Sequence, residues 1–178
     1  MPHRRHHSVF LIALGLLLGF YDGVTAQAAT PAELISSFRL QHSEGKVKID
    51  PTLNRIAHEQ AAAMAAKDVL DHGVLGPFSS RVAPSGSKRA AENIAFGHDS
   101  FPKTLDQWIG SSGHRGNLLM HGATRVGVAS AKSLKTSRTY WAMVIAEERP
   151  KQAKQKATKL SNDPDETCQL KLVSLCLY

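Results

Sequence analysis

The seven consecutive residues Tyr140-Trp141-Ala142-Met143-Val144-Ile145-Ala146 carry no charge and no side-chain amide. A run that short cannot cross a bilayer, which takes about 20 apolar residues. Nor does it alternate between apolar and polar, so it does not read as a strand with one wet face. It is expected as the central strand of a sheet, buried by whatever the rest of the chain supplies. Just upstream, Arg125 to Ser130 sets Val126 and Val128 against Gly127 and Ala129, a second strand, with Lys132 to Arg138 as the hairpin loop between the two.

The covering elements are helical. Thr30 can cap a first helix, Pro31 suits its first position and Glu33 completes a capping box, with Leu34, Ile35 and Phe38 as the apolar stripe and Gly45 as its end. A second helix starts at Asp50-Pro51, runs through Leu53, Ile56, Ala57, Met64 and Ala65, and stops before Asp71-His72-Gly73; its many alanines permit close approach to a neighbour. Gly73 to Lys88, rich in Gly, Pro and Ser, reads as a loop. A third helix fits Pro102 to Ile109 with Leu105, Trp108 and Ile109 inward, followed by a break at Ser111-Ser112-Gly113 and a short turn through Asn117 and Leu118. Helix, helix, loop, helix, strand, strand gives an α+β fold in which helices cover an antiparallel sheet. No internal repeat is present.

Both ends differ in character from this middle. Arg4 and Arg5 precede an almost wholly apolar stretch from Ser8 to Phe20, and small residues follow at Val24 to Ala28, the pattern of an export signal over residues 1–26. The mature chain is then expected outside the cytoplasm, periplasmic or extracellular, where thiols oxidise. The whole chain holds 22 basic and 15 acidic side chains, and removing residues 1–26 takes away two arginines and one aspartate, so the balance stays basic. The basic residues are unevenly placed, with a run of them in residues 148–178, a basic linker and short tail. Arg149, Lys151, Lys154, Lys156 and Lys159 stand there without an acid among them, a run that favours anionic lipid or wall polymer and permits peripheral membrane contact. It lacks the aromatic residues of a single-strand nucleic-acid platform, which argues against that partner. Cys168 and Cys176 can bridge only if the intervening chain doubles back.

The motifs His72, Ala91-Glu92-Asn93-Ile94-Ala95, Trp108 and Ser112-Gly113-His114-Arg115-Gly116-Asn117-Leu118-Leu119 occur in that order before the two strands. In this combination residues 30–147 resemble a bacterial member of the CAP superfamily, the cysteine-rich secretory, antigen 5 and pathogenesis-related class 1 proteins, also called SCP-like extracellular domains. The resemblance implies an α-β-α sandwich with a shallow cleft floored in many members by two histidines and two acids. His72 matches the first histidine and Glu92 the first acid. The second acid does not transfer, because Ile109, Gly110 and Ser111 stand there, and neither does the second histidine, expected near Thr139. His114, from the GHR turn, is expected to face the same cleft instead.

Two imidazoles and a carboxylate converging in a cleft can hold Zn²⁺, whose catalytic sites usually show three protein ligands and one open position. The same trio can equally form a hydrogen-bond network in which Glu92 accepts from one imidazole and fixes its tautomer. His72 at a helix end also suits a helix cap. Ser111 and Ser112 precede His114, but adjacency alone does not orient a hydroxyl on an imidazole. His58-Glu59 starts like a zincin helix, yet Ala62 stands where the second histidine is required. Three functions follow from these readings: a binding module for lipid, wall polymer or protein, a structural protein held at the envelope by its basic tail, and a metal-assisted, peptidase-like hydrolase using His72, Glu92 and His114. Half the family tetrad is missing and no nucleophile is identifiable, so binding or envelope association is favoured over hydrolysis.

Overall fold

The computed structural model describes residues 28–150. The segment read as an export signal, the lysine run after Pro150 and both cysteines lie outside the described residues. The elements are α1 (Pro31–Leu40), β1 (Lys48–Ile49), α2 (Pro51–Lys67), α3 (Phe78–Val82), β2 (Ala90–Phe96), α4 (Phe101–Gly110), α5 (Ser112–Leu118), β3 (Ala123–Lys132) and β4 (Thr139–Glu147). Among the described residues no helix is long and apolar enough to cross a membrane.

The sheet order is β1-β3-β4-β2. β4 lies between β3 and β2, antiparallel to both, and every residue from Thr139 to Ala146 is buried, as its unbroken apolar run requires. The two-residue β1 adds a parallel edge to β3, which makes the sheet mixed. Successive β4 side chains point to opposite faces and build two cores. Tyr140, Ala142, Val144 and Ala146 pack with Ile94 against Leu53, Ile56, Ala57, Ala61 and Met64 of α2. Trp141, Met143 and Ile145 pack with Val126 and Val128 against Ile35, Phe38, Leu105, Trp108 and Leu118 from α1, α4 and α5. The result is three layers, helix on sheet on helix.

Local chemistry explains the element starts. Thr30 and Glu33 form the expected capping box, the Glu33 amide donating to Thr30 Oγ1 at 3.4 Å and the Thr30 amide to Glu33 Oε2 at 2.7 Å. Asp50 caps α2 by accepting from the Leu53 amide at 3.0 Å, and Arg125 pairs with the same carboxylate at 2.8 Å. α2 ends on Asp68 in the left-handed region (φ 53°), where its carboxylate accepts from Thr136 at 2.6 Å and Tyr140 at 3.0 Å, tying the helix end to the β3–β4 hairpin.

Three expectations need correction. Gly73 to Lys88 is not all loop: Pro77 opens the short helix α3, a 3₁₀ turn over Ala83–Ser85 follows, and Gly86 at φ 66° ends it. The break and turn after Ser111 are a helix, α5. Its two glycines would disfavour that in isolation, and hydrogen bonds to β2 hold it. Finally, Ala91 to Ala95, read as a motif without structure, belongs to the strand β2. Glu92 and Asn93 put polar side chains on both of its faces, which hides the two-residue apolar period by which a strand is recognised.

Candidate functional site

β2 is an edge strand, and the polar pair on it organises everything around it. Alternation sends Glu92 to the α2 side of the sheet with Ile94, and Asn93 to the side of α4 and α5. Both are buried, at 6% and 0% exposure, so both need partners.

Glu92 finds two. Arg81, from the last turn of α3, donates Nη1 to Oε2 at 2.8 Å and Nη2 to Oε1 at 2.9 Å, a two-pronged ion pair with little solvent contact on either side. His72 donates from Nδ1 to the same Oε1 at 2.8 Å, while more than half of its side chain faces solvent. That bond fixes the His72 tautomer, with the proton on Nδ1 and Nε2 turned outward. The His72 backbone is held as well: its carbonyl accepts from Arg81 Nη2 at 3.0 Å and from Gln60 Nε2 at 3.4 Å, and Gln60 Nε2 also reaches the Asp71 carbonyl at 2.8 Å. The Phe78 ring lies 5.3 Å from the Arg81 guanidinium carbon and completes its seat.

Asn93 and Asn117 do the corresponding work on the other face. Asn93 Nδ2 donates to the His114 carbonyl at 3.0 Å, and Asn117 Nδ2 donates to Asn93 Oδ1 at 2.9 Å and to the Glu92 carbonyl at 3.2 Å. Trp108, fully buried, donates Nε1 to the Ile94 carbonyl at 3.3 Å. Two carbonyls of the edge strand are thereby taken by side chains of α4 and α5, and α5 is bolted to β2 with His114 in its first turn.

His114 Nδ1 is buried and has no hydrogen-bond partner. Burial holds its pKa below the ordinary value, and the charge that His72 carries when protonated adds to the effect. A histidine depressed in the folded state leaves the unfolded chain to take up the proton first. Its contribution to stability is therefore complete above about pH 6.5 and is lost as the pH falls through the folded value. Urea melts between pH 7.5 and 5 are expected to show stability falling below about pH 6.5, with a shallower fall in His114→Gln. Identical slopes for the two proteins would refute this.

His72 and Glu92 are in direct contact, while His114 is joined to β2 through its carbonyl, which accepts from Asn93. Ser111 sits at the joint between α4 and α5, where its amide donates to the Trp108 carbonyl and its carbonyl accepts from the Arg115 amide. No hydroxyl is held on His114 Nδ1, so a serine–imidazole pair is not formed through that nitrogen. A zinc ion held by His72, Glu92 and His114 does not fit this arrangement. Both oxygens of Glu92 are bound to a guanidinium, and among the described residues no group of three or more His, Cys, Asp or Glu side chains is arranged for a metal ion.

Arg81 and Gln60 were not recognised as site residues in the sequence. Phe78 and Arg81 stand three apart, one helical turn, inside a segment whose Gly, Pro and Ser content masks it. Gln60 falls on the Ile56–Met64 stripe of α2, a polar residue at a core position.

A family model described as the cysteine-rich secretory protein family, CAP, matches residues 32–145. The Bacillus subtilis protein YkwD is 31% identical over 116 residues, which are 63% of this chain and 45% of YkwD, so the chain spans under half the length of that relative. An extracellular protein containing an SCP domain from Bacillus anthracis has a similar structure, with a TM-score of 0.60 at 24% identity, covering 66% of this chain and 39% of that one. An outer surface protein of Borrelia burgdorferi gives 0.58 at 18% identity, covering 65% and 87% of the two chains. The CAP domain of enterococcal PrgA gives 0.54 at 16%, covering 66% and 59%. At these identities the solved structures establish the fold.

Proposed function

Because this chain belongs to the cysteine-rich secretory protein family, we propose that it is an exported domain that works outside the cytoplasm by binding a component of the cell envelope at the rim of the His72 cleft. One observation carries this reading. Val69, Leu70 and Leu75 are 40%, 41% and 46% exposed within the segment that joins α2 to α3, close in sequence to the half-exposed His72. Large apolar side chains left exposed within so few residues of one another suit a contact surface. The polar groups beside it are mostly engaged with one another, which suits a fixed recognition surface better than a site that must move protons.

Export fits the apolar stretch behind Arg4 and Arg5, and the relatives described as extracellular or outer-surface proteins point the same way. The lysines after Pro150 supply a second, electrostatic contact to anionic lipid or wall polymer, which salt weakens over a screening length of about 8 Å at physiological ionic strength.

Co-sedimentation of the mature chain with peptidoglycan sacculi and with phosphatidylglycerol vesicles tests the reading. Leu75→Ser is expected to cut retention about fivefold or more, since burying a leucine is worth about 1.5–3 kcal/mol and a rim position gains only part of that. His114→Ala is expected to change retention less than about twofold, because its Nδ1 is buried and it is not among the exposed apolar side chains. Turnover of a peptide substrate that His114→Ala abolishes, with retention unaffected by Leu75→Ser, would replace binding by hydrolysis.

A further inference from the structure

The buried cation beside Glu92 is a side chain. Arg81 reaches Glu92 with both terminal nitrogens, at 2.8 and 2.9 Å, and its side chain is 9% exposed against 3% for Glu92. The same guanidinium donates to the His72 carbonyl at 3.0 Å and packs on Phe78. We infer that Arg81 is the resident cation of the His72–Glu92–His114 cleft and keeps divalent metal out of it. This goes beyond the binding reading, because it holds whatever the rim binds.

The physical reason lies in charge and geometry together. A zinc site of the three-ligand kind needs a carboxylate whose negative charge is free to offset the metal. Here the charge of Glu92 is already balanced by a guanidinium with a planar, two-pronged fit, so an arriving dication finds an acid whose charge is already offset. It also meets a positive charge fixed within hydrogen-bond distance of the same two oxygens, close enough to repel strongly at the low effective dielectric of a buried site. Metal can enter only by displacing Arg81, which breaks the buried pair and frees the His72 carbonyl from one of its two donors. His72 Nδ1 is committed to Glu92 as well, and only its outer nitrogen remains available.

The inference makes a prediction that a plain structural ion pair does not: removing the arginine creates a metal site. Zn²⁺ is titrated by calorimetry at neutral pH into the mature chain, into His72→Ala/His114→Ala, and into Arg81→Met, whose unbranched side chain keeps the packing on Phe78. Wild type and the double variant are expected to give the same isotherm, since any zinc they bind is held elsewhere. Arg81→Met is expected to gain one site at least about tenfold tighter than anything in wild type, the scale on which groups around metal ligands alter affinity. Adding His72→Ala to Arg81→Met is expected to remove that site again. In nitrogen-resolved NMR the His72 and His114 ring signals shift on adding Zn²⁺ to Arg81→Met and stay fixed in wild type. Arg81→Gln, also uncharged but still a donor to Glu92, replaces the methionine variant if circular dichroism finds that one unfolded.

Zinc binding by wild type that the His72→Ala/His114→Ala variant loses overturns the inference, and so does an Arg81 variant that folds and gains no site. Neither result bears on retention at the envelope, so this inference and the binding reading fail separately.

Discussion

Gly127→Ala is expected to destabilise the fold by about 3 kcal/mol or more, lowering the melting temperature by about 10 °C for a domain of this size. Gly127 lies on β3 where the first turn of α2 crosses it. A Cβ placed there would fall well inside contact distance of the Leu53 carbonyl group and the Asn54 amide nitrogen, backbone atoms with no rotamer to give way. The crossing is close because hydrogen bonds draw the two elements together on either side of the glycine. The Asp50 amide donates to the Val126 carbonyl at 2.9 Å, and the Val128 amide donates to Asn54 Oδ1 at 3.1 Å. A methyl group wedged between those bonds must lift α2, and with it the Leu53–Ala65 face that forms one of the two cores. Gly116→Ala is the control. It sits in α5 with open space where its Cβ would go, and alanine's higher helix propensity is expected to stabilise by about 0.5–1 kcal/mol. Thermal melts of both variants decide the matter, and equal effects would mean that close approach at Gly127 is not what selects glycine there.

The contrast between those glycines marks how far the sequence could be read. Elements announced by their own residues were legible: the Thr30–Glu33 capping box, the Asp50-Pro51 helix start and the apolar run of β4 each declare themselves within a few positions. Elements held by distant partners were not. β2 carries Glu92 and Asn93 on opposite faces, and each is satisfied by a residue 11 to 24 positions away, so nothing local marks a strand. β1 is two residues long and exists only through its pairing with β3. The site divides along the same line. His72, Glu92 and His114 were named from motifs that resemble the family's, and of them His72 and Glu92 are in direct contact. What their chemistry amounts to depends on Arg81, which reaches Glu92 from a helix that its own composition conceals. Imidazoles and carboxylates suggest a metal until the charge beside them is known, and that charge is a tertiary fact.

Arg39→Met is expected to cost about 4 kcal/mol, within the range for removing one member of a buried charged network. Arg39 stands in the last turn of α1, fully buried, where an apolar stripe would ordinarily continue. Its guanidinium donates to the Gly45 carbonyl at 2.7 Å, to Leu118 at 2.7 Å, to Met120 at 3.1 Å and to Ala123 at 3.1 Å, with Glu44 3.7 Å away. Burial pulls its pKa below the ordinary value for arginine and Glu44 opposes the shift. Three of those carbonyls belong to the chain that leaves α5 and enters β3. Methionine matches the length of the stem but removes the donor from all of them, and the buried Leu118 and Ala123 carbonyls cost about 1–3 kcal/mol each where no water reaches. Arg39→Lys keeps the charge and can serve only some of the four from a single nitrogen, so about half the loss is expected of it. The consequence extends to the helix that carries His114. α5 is held near its start by Asn93, near its end by Asn117, and at its last residue and just beyond it by Arg39, so loosening the Arg39 anchor should raise amide exchange through Ser112–Leu118 before the sheet opens. Urea melts and native-state hydrogen exchange of Arg39→Met measure both effects. A variant within about 1 kcal/mol of wild type would mean that solvent reaches the α5–β3 turn, because carbonyls that stay buried without a donor cannot be so cheap. Exchange that rises in β4 together with α5 would instead make the helix one cooperative unit with the sheet, and His114 as firmly set as the strand beside it.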